Sequence, residues 1–148
     1  QAMFLYGESR GGMMVFQAIR DGFPARAAST FGAFTDFEQM TSGERGAAMA
    51  NQIWSDFADR REEIVARRSA MRWPEKLGVP LLLMHGGGDA TVDPSQTLRL
   101  ALELQKRGLA YGLVVFEGDN HIVSAHRLER DRQAIQWFKD HLIRQQSK

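Results

Sequence analysis

Three stretches of the chain place side chains suited to nucleophilic chemistry where a fold can bring them together. The first reads Leu5-Tyr6-Gly7-Glu8-Ser9-Arg10-Gly11-Gly12 and holds a serine inside a G-x-S-x-G pattern. A serine hydroxyl at its free pKa is a poor nucleophile, so a neighbouring imidazole must take its proton. Gly7 and Gly11 leave room for a sharp strand-to-helix turn that projects the hydroxyl, and Gly12 lets the helix pack closely. The second stretch, His85-Gly86-Gly87-Gly88-Asp89-Ala90-Thr91-Val92-Asp93-Pro94, supplies two carboxylates. Asp89 is the better placed to aim back at a sheet edge. Asp93, just before Pro94, fits a helix-capping role and is the substitute acid. The glycines here lack the Lys and Ser/Thr of a phosphate-binding loop. The third stretch, Phe116-Glu117-Gly118-Asp119-Asn120-His121, puts an imidazole just beyond an apolar run. Read along the chain, Ser9, Asp89 and His121 are a nucleophile, a carboxylate to orient the imidazole, and the imidazole itself.

Each residue also has a plainer reading. Ser9 can cap the next helix, Asp89 can bond its own backbone, and His121 can be a surface histidine. His85, at the end of an apolar run, reads as structural, and His126 and His141 as solvated residues of the last helix. A metal site at His85, Asp89 and His121 lacks the H-x-x-x-H or H-E-x-x-H spacing of such centres, so no metal is assigned.

Short apolar runs at Met3–Tyr6, Ala27–Phe31, Val79–Met84 and Tyr111–Phe116 read as strands, the third continuous enough for a parallel sheet covered on both faces. Between them lie helical segments. The one after Ser9 is apolar on most sides, with Met13 and Met14 expected in the core. Residues 36–70 read as helical, and a helix opened by Pro94 and closed by Gly108 carries Leu98, Ala101 and Leu102. The last helix presents Leu128, Ile135, Phe138 and Leu142 on one face. This alternation predicts an α/β fold with a mostly parallel sheet. All three reactive stretches then fall at carboxyl ends of strands, where such sheets gather ligands.

Composition narrows the function. Nineteen Lys and Arg against eighteen Asp and Glu give a net charge of +1, which offers no footprint for nucleic acid or an anionic membrane. No apolar run reaches the roughly 20 residues needed to span a bilayer. The start of the chain has no basic region or cleavage pattern of a signal peptide. With no Cys, thiolate catalysis, disulfides and Cys-based zinc sites are excluded, and the compartment stays undecided.

The segments Tyr-Gly-Glu-Ser-Arg-Gly-Gly-Met-Met, Val-Pro-Leu-Leu-Leu-Met-His-Gly-Gly-Gly-Asp-Ala-Thr-Val-Asp-Pro and Phe-Glu-Gly-Asp-Asn-His resemble an α/β-hydrolase of the prolyl oligopeptidase family of serine peptidases. The resemblance runs over nearly the whole chain and implies that residues 1–148 are the C-terminal half of one catalytic domain, with about four strands. It implies that Ser9, Asp89 and His121 are the catalytic residues, that the Arg10 backbone N–H is the first oxyanion donor, and that no cofactor is needed. The second oxyanion donor would come from a loop earlier in the domain. Family members commonly have Tyr where this chain has Arg10. The segment before Pro80 helps line the family's substrate site, which makes Phe34, Trp54 and Phe57 candidate pocket residues. The expected activity is hydrolysis of a peptide, or alternatively an ester as in a carboxylesterase. A reading of another class is a catalytically incompetent, self-associating module: an unpaired apolar strand at residues 3–6 would favour a homo-oligomer or swapped dimer.

Overall fold

Leu81 to Gly86 is apolar throughout except for His85, and such a run is stable only with both faces covered. The computed structural model, which describes residues 2–143, makes it an inner strand of a four-stranded sheet. Strands β1 (Phe4–Glu8), β2 (Ala27–Phe31), β3 (Leu81–Gly86) and β4 (Tyr111–Phe116) lie in the order β1-β2-β3-β4, every pair parallel. Each crossover is helical: α1 (Ser9–Arg20), then α2 (Phe37–Met40), α3 (Gly43–Ile53) and α4 (Arg61–Arg68), then α5 (Ser95–Lys106), with α6 (Arg127–Ile143) last. Two 3₁₀ turns, Ala70–Arg72 and Pro74–Lys76, lead into β3.

Alternation along the strands divides the core. Leu81 and Leu83 face Phe16 and Ile19 of α1 and Leu100 and Leu104 of α5. Leu82 and Met84 face the other way, against Ala134 and Trp137 of α6. A third cluster packs Met13 of α1 against Phe37, Phe57, Ile64 and Val65 of the α2–α4 excursion. All five residues of β2 are buried, so the weakest of the expected strands is a central one. β1 and β4 are the edges.

The structure corrects several expectations. Residues 36–70 form three helices, because Gly43 takes a left-handed φ of 77° and the chain turns again from Trp54 to Arg60. Met13 is buried but Met14, one residue round the helix, is exposed. On α5 the core face is Leu100, Ala101 and Leu104 with the polar Gln96 and Thr97, while Leu98 and Leu102 face solvent. On α6 Leu128, Ile135 and Leu142 are exposed, and Arg130 and Ala134 are buried instead. Phe138 alone of the expected stripe packs against the sheet, its ring 5.0 Å from that of Phe4. Among the described residues no helix is long and apolar enough to cross a membrane.

The two leucines of α5 provide a test. Leu100→Ala removes a fully buried side chain and is expected to cost about 2–5 kcal/mol in urea denaturation. Leu98→Ala, at an exposed position, is expected to change stability by less than about 0.5 kcal/mol. Equal losses would contradict this orientation of the helix.

Candidate active site

Strand register sets where the reactive side chains meet. Glu8 pairs with Phe31, Phe31 with Met84, and Gly86 with Phe116, so the four strands end along one edge. Ser9, Gly32, the Gly87–Asp89 loop and the Glu117–His121 loop all emerge there. Ser9 follows β1 with no intervening loop and is the first residue of α1, at φ 51°. That left-handed backbone is strained for a non-glycine residue. The tight turn around it requires glycine at two positions: a Cβ at Gly7 would lie 2.5 Å from the Gly11 carbonyl oxygen, and one at Gly12 2.5 Å from Ala33 Cβ. Gly11, by contrast, faces open space and could carry a side chain. Glu8 gives α1 no side-chain cap, so the first-turn N–H groups, Arg10's among them, have no capping partner.

The structure brings together the three residues singled out from the sequence. Ser9 Oγ lies 2.9 Å from His121 Nε2, and His121 Nδ1 lies 2.7 Å from Asp89 Oδ2. Nδ1 faces a carboxylate and so carries the ring proton, which leaves Nε2 to accept from the serine hydroxyl. The Asp89 side chain is fully buried, whereas the His121 ring keeps some contact with solvent. Asp89 Oδ1 accepts from the backbone N–H groups of Thr91 (2.8 Å) and Val92 (3.0 Å). Burial pushes this carboxyl up. The His121 ring bond, the Val92 and Thr91 N–H groups and the attraction of His121 outweigh it, and the carboxyl is held below its ordinary value. Asp93, the substitute acid, is exposed and accepts from the Ser95 N–H at the start of α5, which leaves Asp89 as the carboxylate on the histidine.

Three further residues hold the histidine loop, and sequence reasoning missed them. Asp119 is buried and receives N–H groups from Asn120, Ala125 and His126 together with the His126 ring nitrogen at 2.9 Å. His126 is thus the last residue before α6, tied to Asp119, and not a free residue of the helix. Arg130 reaches back from α6 to the Ile122 carbonyl oxygen (2.6 Å), its guanidinium 4.1 Å from the Phe31 ring centre. Gly32, at φ 55°, sits under the imidazole: a Cβ there would lie 2.8 Å from the His121 carbonyl oxygen and 3.1 Å from Nδ1. The one local signal was a glycine directly after a strand.

The three aromatic residues expected to line a pocket lie to the side, in and around the α2–α4 cluster. Phe57 is 1% exposed and sits inside that cluster. Trp54 is half-buried, edge-on to Phe37 with the Arg68 guanidinium 4.2 Å from its ring, and Phe34 packs on the cluster's margin. Beside Ser9 and His121 is an open cavity of about 360 Å³ lined by Glu8, Ile122, Ser124, Arg127 and Arg130. A larger cavity, about 670 Å³, lies at the opposite end of the strands, lined by residues such as Met3, Pro24 and Pro80.

A parallel sheet that delivers a strained serine, a histidine and a carboxylate to its carboxyl edge has the architecture of an α/β-hydrolase. Solved structures share it. Pyrococcus horikoshii acylaminoacyl peptidase superposes with a TM-score of 0.77 over 93% of this chain at 19% identity. A puromycin-hydrolyzing peptidase of Mycobacterium tuberculosis gives 0.72 over 88% at 22% identity, and Porphyromonas gingivalis dipeptidyl peptidase 4 gives 0.72 over 92% at 18% identity. The chain spans 24%, 21% and 19% of those three proteins. A search of curated protein sequences finds no match. A model of the prolyl oligopeptidase family matches residues 1–145, and the chain belongs to that family.

The histidine loop has a predictable acid limit. Burial opposes the Asp119 charge, but the His126 ring and the Asn120, Ala125 and His126 N–H groups bring its carboxyl down to about 2. A depressed carboxyl stabilises the fold above its unfolded value of about 3.9, and that contribution disappears as pH falls through about 2. Wild-type chain is expected to melt above Asp119→Asn at pH 5, the two converging at pH 2. Parallel melting profiles across that range would refute the role given to Asp119.

Proposed function

We propose that the chain carries the catalytic residues of a serine peptidase that works by acyl transfer. The observation carrying this reading is the unbroken hydrogen-bond path from Ser9 Oγ through His121 to the buried Asp89 carboxylate. Ser9 Oγ attacks a substrate carbonyl carbon while its proton passes to His121 Nε2. Asp89 holds the ring by Nδ1–H and stabilises the imidazolium that forms. The tetrahedral oxyanion is met by the Arg10 N–H at the start of α1, where the helix also presents partial positive charge. His121 then donates its proton to the leaving amine and the C–N bond breaks, leaving an acyl-serine. Water, deprotonated by His121, releases the acid and restores Ser9. Neither a metal nor a cofactor takes part in these steps. The similar structures are named as peptidases, which favours an amide bond over an ester as the substrate.

A fluorophosphonate probe tests the nucleophile. The wild-type chain is expected to be labelled at Ser9, Ser9→Ala not at all, and His121→Ala at least about a thousandfold more slowly. Label retained in Ser9→Ala, or a near-normal rate in His121→Ala, would sink the assignment.

A second reading, self-association, is favoured by one surface. β1 is an edge strand, with Met3 and Tyr6 exposed. Beside it is an open cavity of about 430 Å³ lined by Tyr6, Ala134, Ile135 and Phe138 together with the Arg130–Asp131 pair. An apolar strand edge of this kind invites a further strand. The chain on its own is expected to scatter light as a dimer or larger species, and Tyr6→Lys to shift it toward monomer. A monodisperse wild-type monomer that unfolds cooperatively would exclude this reading.

A further inference from the structure

The acyl-transfer scheme leaves one buried histidine unused, and its ring points at the same oxygen as the catalytic one. His85, the penultimate residue of β3, is 0% exposed. Its Nε2 lies 3.0 Å from Asp89 Oδ2 and 3.0 Å from the Val92 carbonyl oxygen. Its Nδ1 lies 2.6 Å from Thr97 Oγ1 on α5. Nε2 therefore faces two acceptors and no donor. With the proton on Nε2 and Nδ1 accepting from the Thr97 hydroxyl, every polar atom of the ring is satisfied.

We propose that His85 is a positioning residue of the acid–base pair: its Nε2–H fixes Asp89 Oδ2 on the line to His121 and shares that oxygen's charge. Asp89 then carries a full shell, with two backbone N–H groups on Oδ1 and two imidazole N–H groups on Oδ2. The backbone donors alone leave the carboxylate free to tilt about the axis through Oδ1. The His85 bond removes that freedom, and Thr97 locks the tautomer that makes it. The proposal rests on reading Ser9, Asp89 and His121 as the catalytic residues.

Nitrogen-15 histidine spectra and fluorophosphonate labelling of the chain test it together. In the wild type, His85 is expected to be protonated at Nε2, and its N–H to cross-relax with the His121 Nδ1–H on the shared oxygen. His85→Leu is expected to slow Ser9 labelling about tenfold, the worth of one hydrogen bond to a charged group, and to displace the His121 Nδ1–H resonance. His85→Gln, which can place an N–H near the Nε2 position, should recover most of the rate. Thr97→Val should weaken the His85 Nε2–H signal and slow labelling two- to threefold, and it decides the matter if the leucine variant does not fold. A His85 protonated at Nδ1 would overturn the proposal. So would a folded leucine variant, or a Thr97→Val chain, with wild-type rate and resonance, and so would equal losses in the leucine and glutamine variants. Failure of the underlying assignment looks different: Ser9→Ala would keep its label while both ring N–H signals on Asp89 persist.

Discussion

A carboxylate buried at the edge of an apolar sheet is the constraint around which this structure is arranged. Removing the Asp89 charge from water costs several kcal/mol unless hydrogen-bond donors replace the lost solvation. Four donors do so, and between them they fix three pieces of chain: the Thr91 and Val92 N–H groups hold the loop after β3, His85 the strand itself, and His121 the loop after β4. Satisfying one carboxylate thus locks segments that are far apart in sequence. The position of the imidazole against Ser9 follows from that arrangement.

The sheet supplies the second requirement, because parallel register makes the strands end together. Only then do a residue directly after β1 and a loop after β4 come within one hydrogen bond. Closing that gap strains the backbone at both sides of it. The two non-glycine residues at positive φ among the described residues are Ser9 (51°) and Val123 (52°). Such conformations persist where the surroundings over-determine them. Ser9 is held between the paired end of β1 and a helix seated on Ala33. Val123 is fully buried among Phe31, Met84 and Phe116, directly after the carbonyl that Arg130 grips.

Much of this was legible from the sequence, for physical reasons. All four strands were visible as short apolar runs, β3 most clearly because an inner parallel strand is covered on both faces, and β2 most weakly because Ser29 and Thr30 interrupt it. Ser9, Asp89 and His121 were visible because each stands next to such a run in a recognisable turn. What stayed hidden acts through tertiary contact. Nothing local marks Asp119 as the organiser of its loop, or Arg130 as a buried clamp, since neither lies on an apolar pattern. The misread faces of α5 and α6 have the same origin. Leucine spacing suggested the stripes, but polar residues with specific partners occupy the covered faces: Gln96 and Thr97 on α5, Arg130 on α6.

Those polar residues also explain how the α2–α4 excursion relates to the rest. Its aromatic residues form a cluster of their own, joined to the main body through Met13 of α1 and through directional bonds. Gln96 Oε1 accepts from the N–H groups of Thr35 and Asp36 at its entry, each at 3.0 Å. The Phe37 N–H donates to Ser69 Oγ, which ties its beginning to its end. The residue after Gln96 is Thr97, which holds the His85 ring on Asp89. One turn of α5 therefore carries both attachments, with Gln96 holding the excursion beside the site and Thr97 supporting the carboxylate within it. A shift of that turn would move the entry of the excursion and the His85–Asp89 contact together, which couples two parts of the chain that share no apolar cluster.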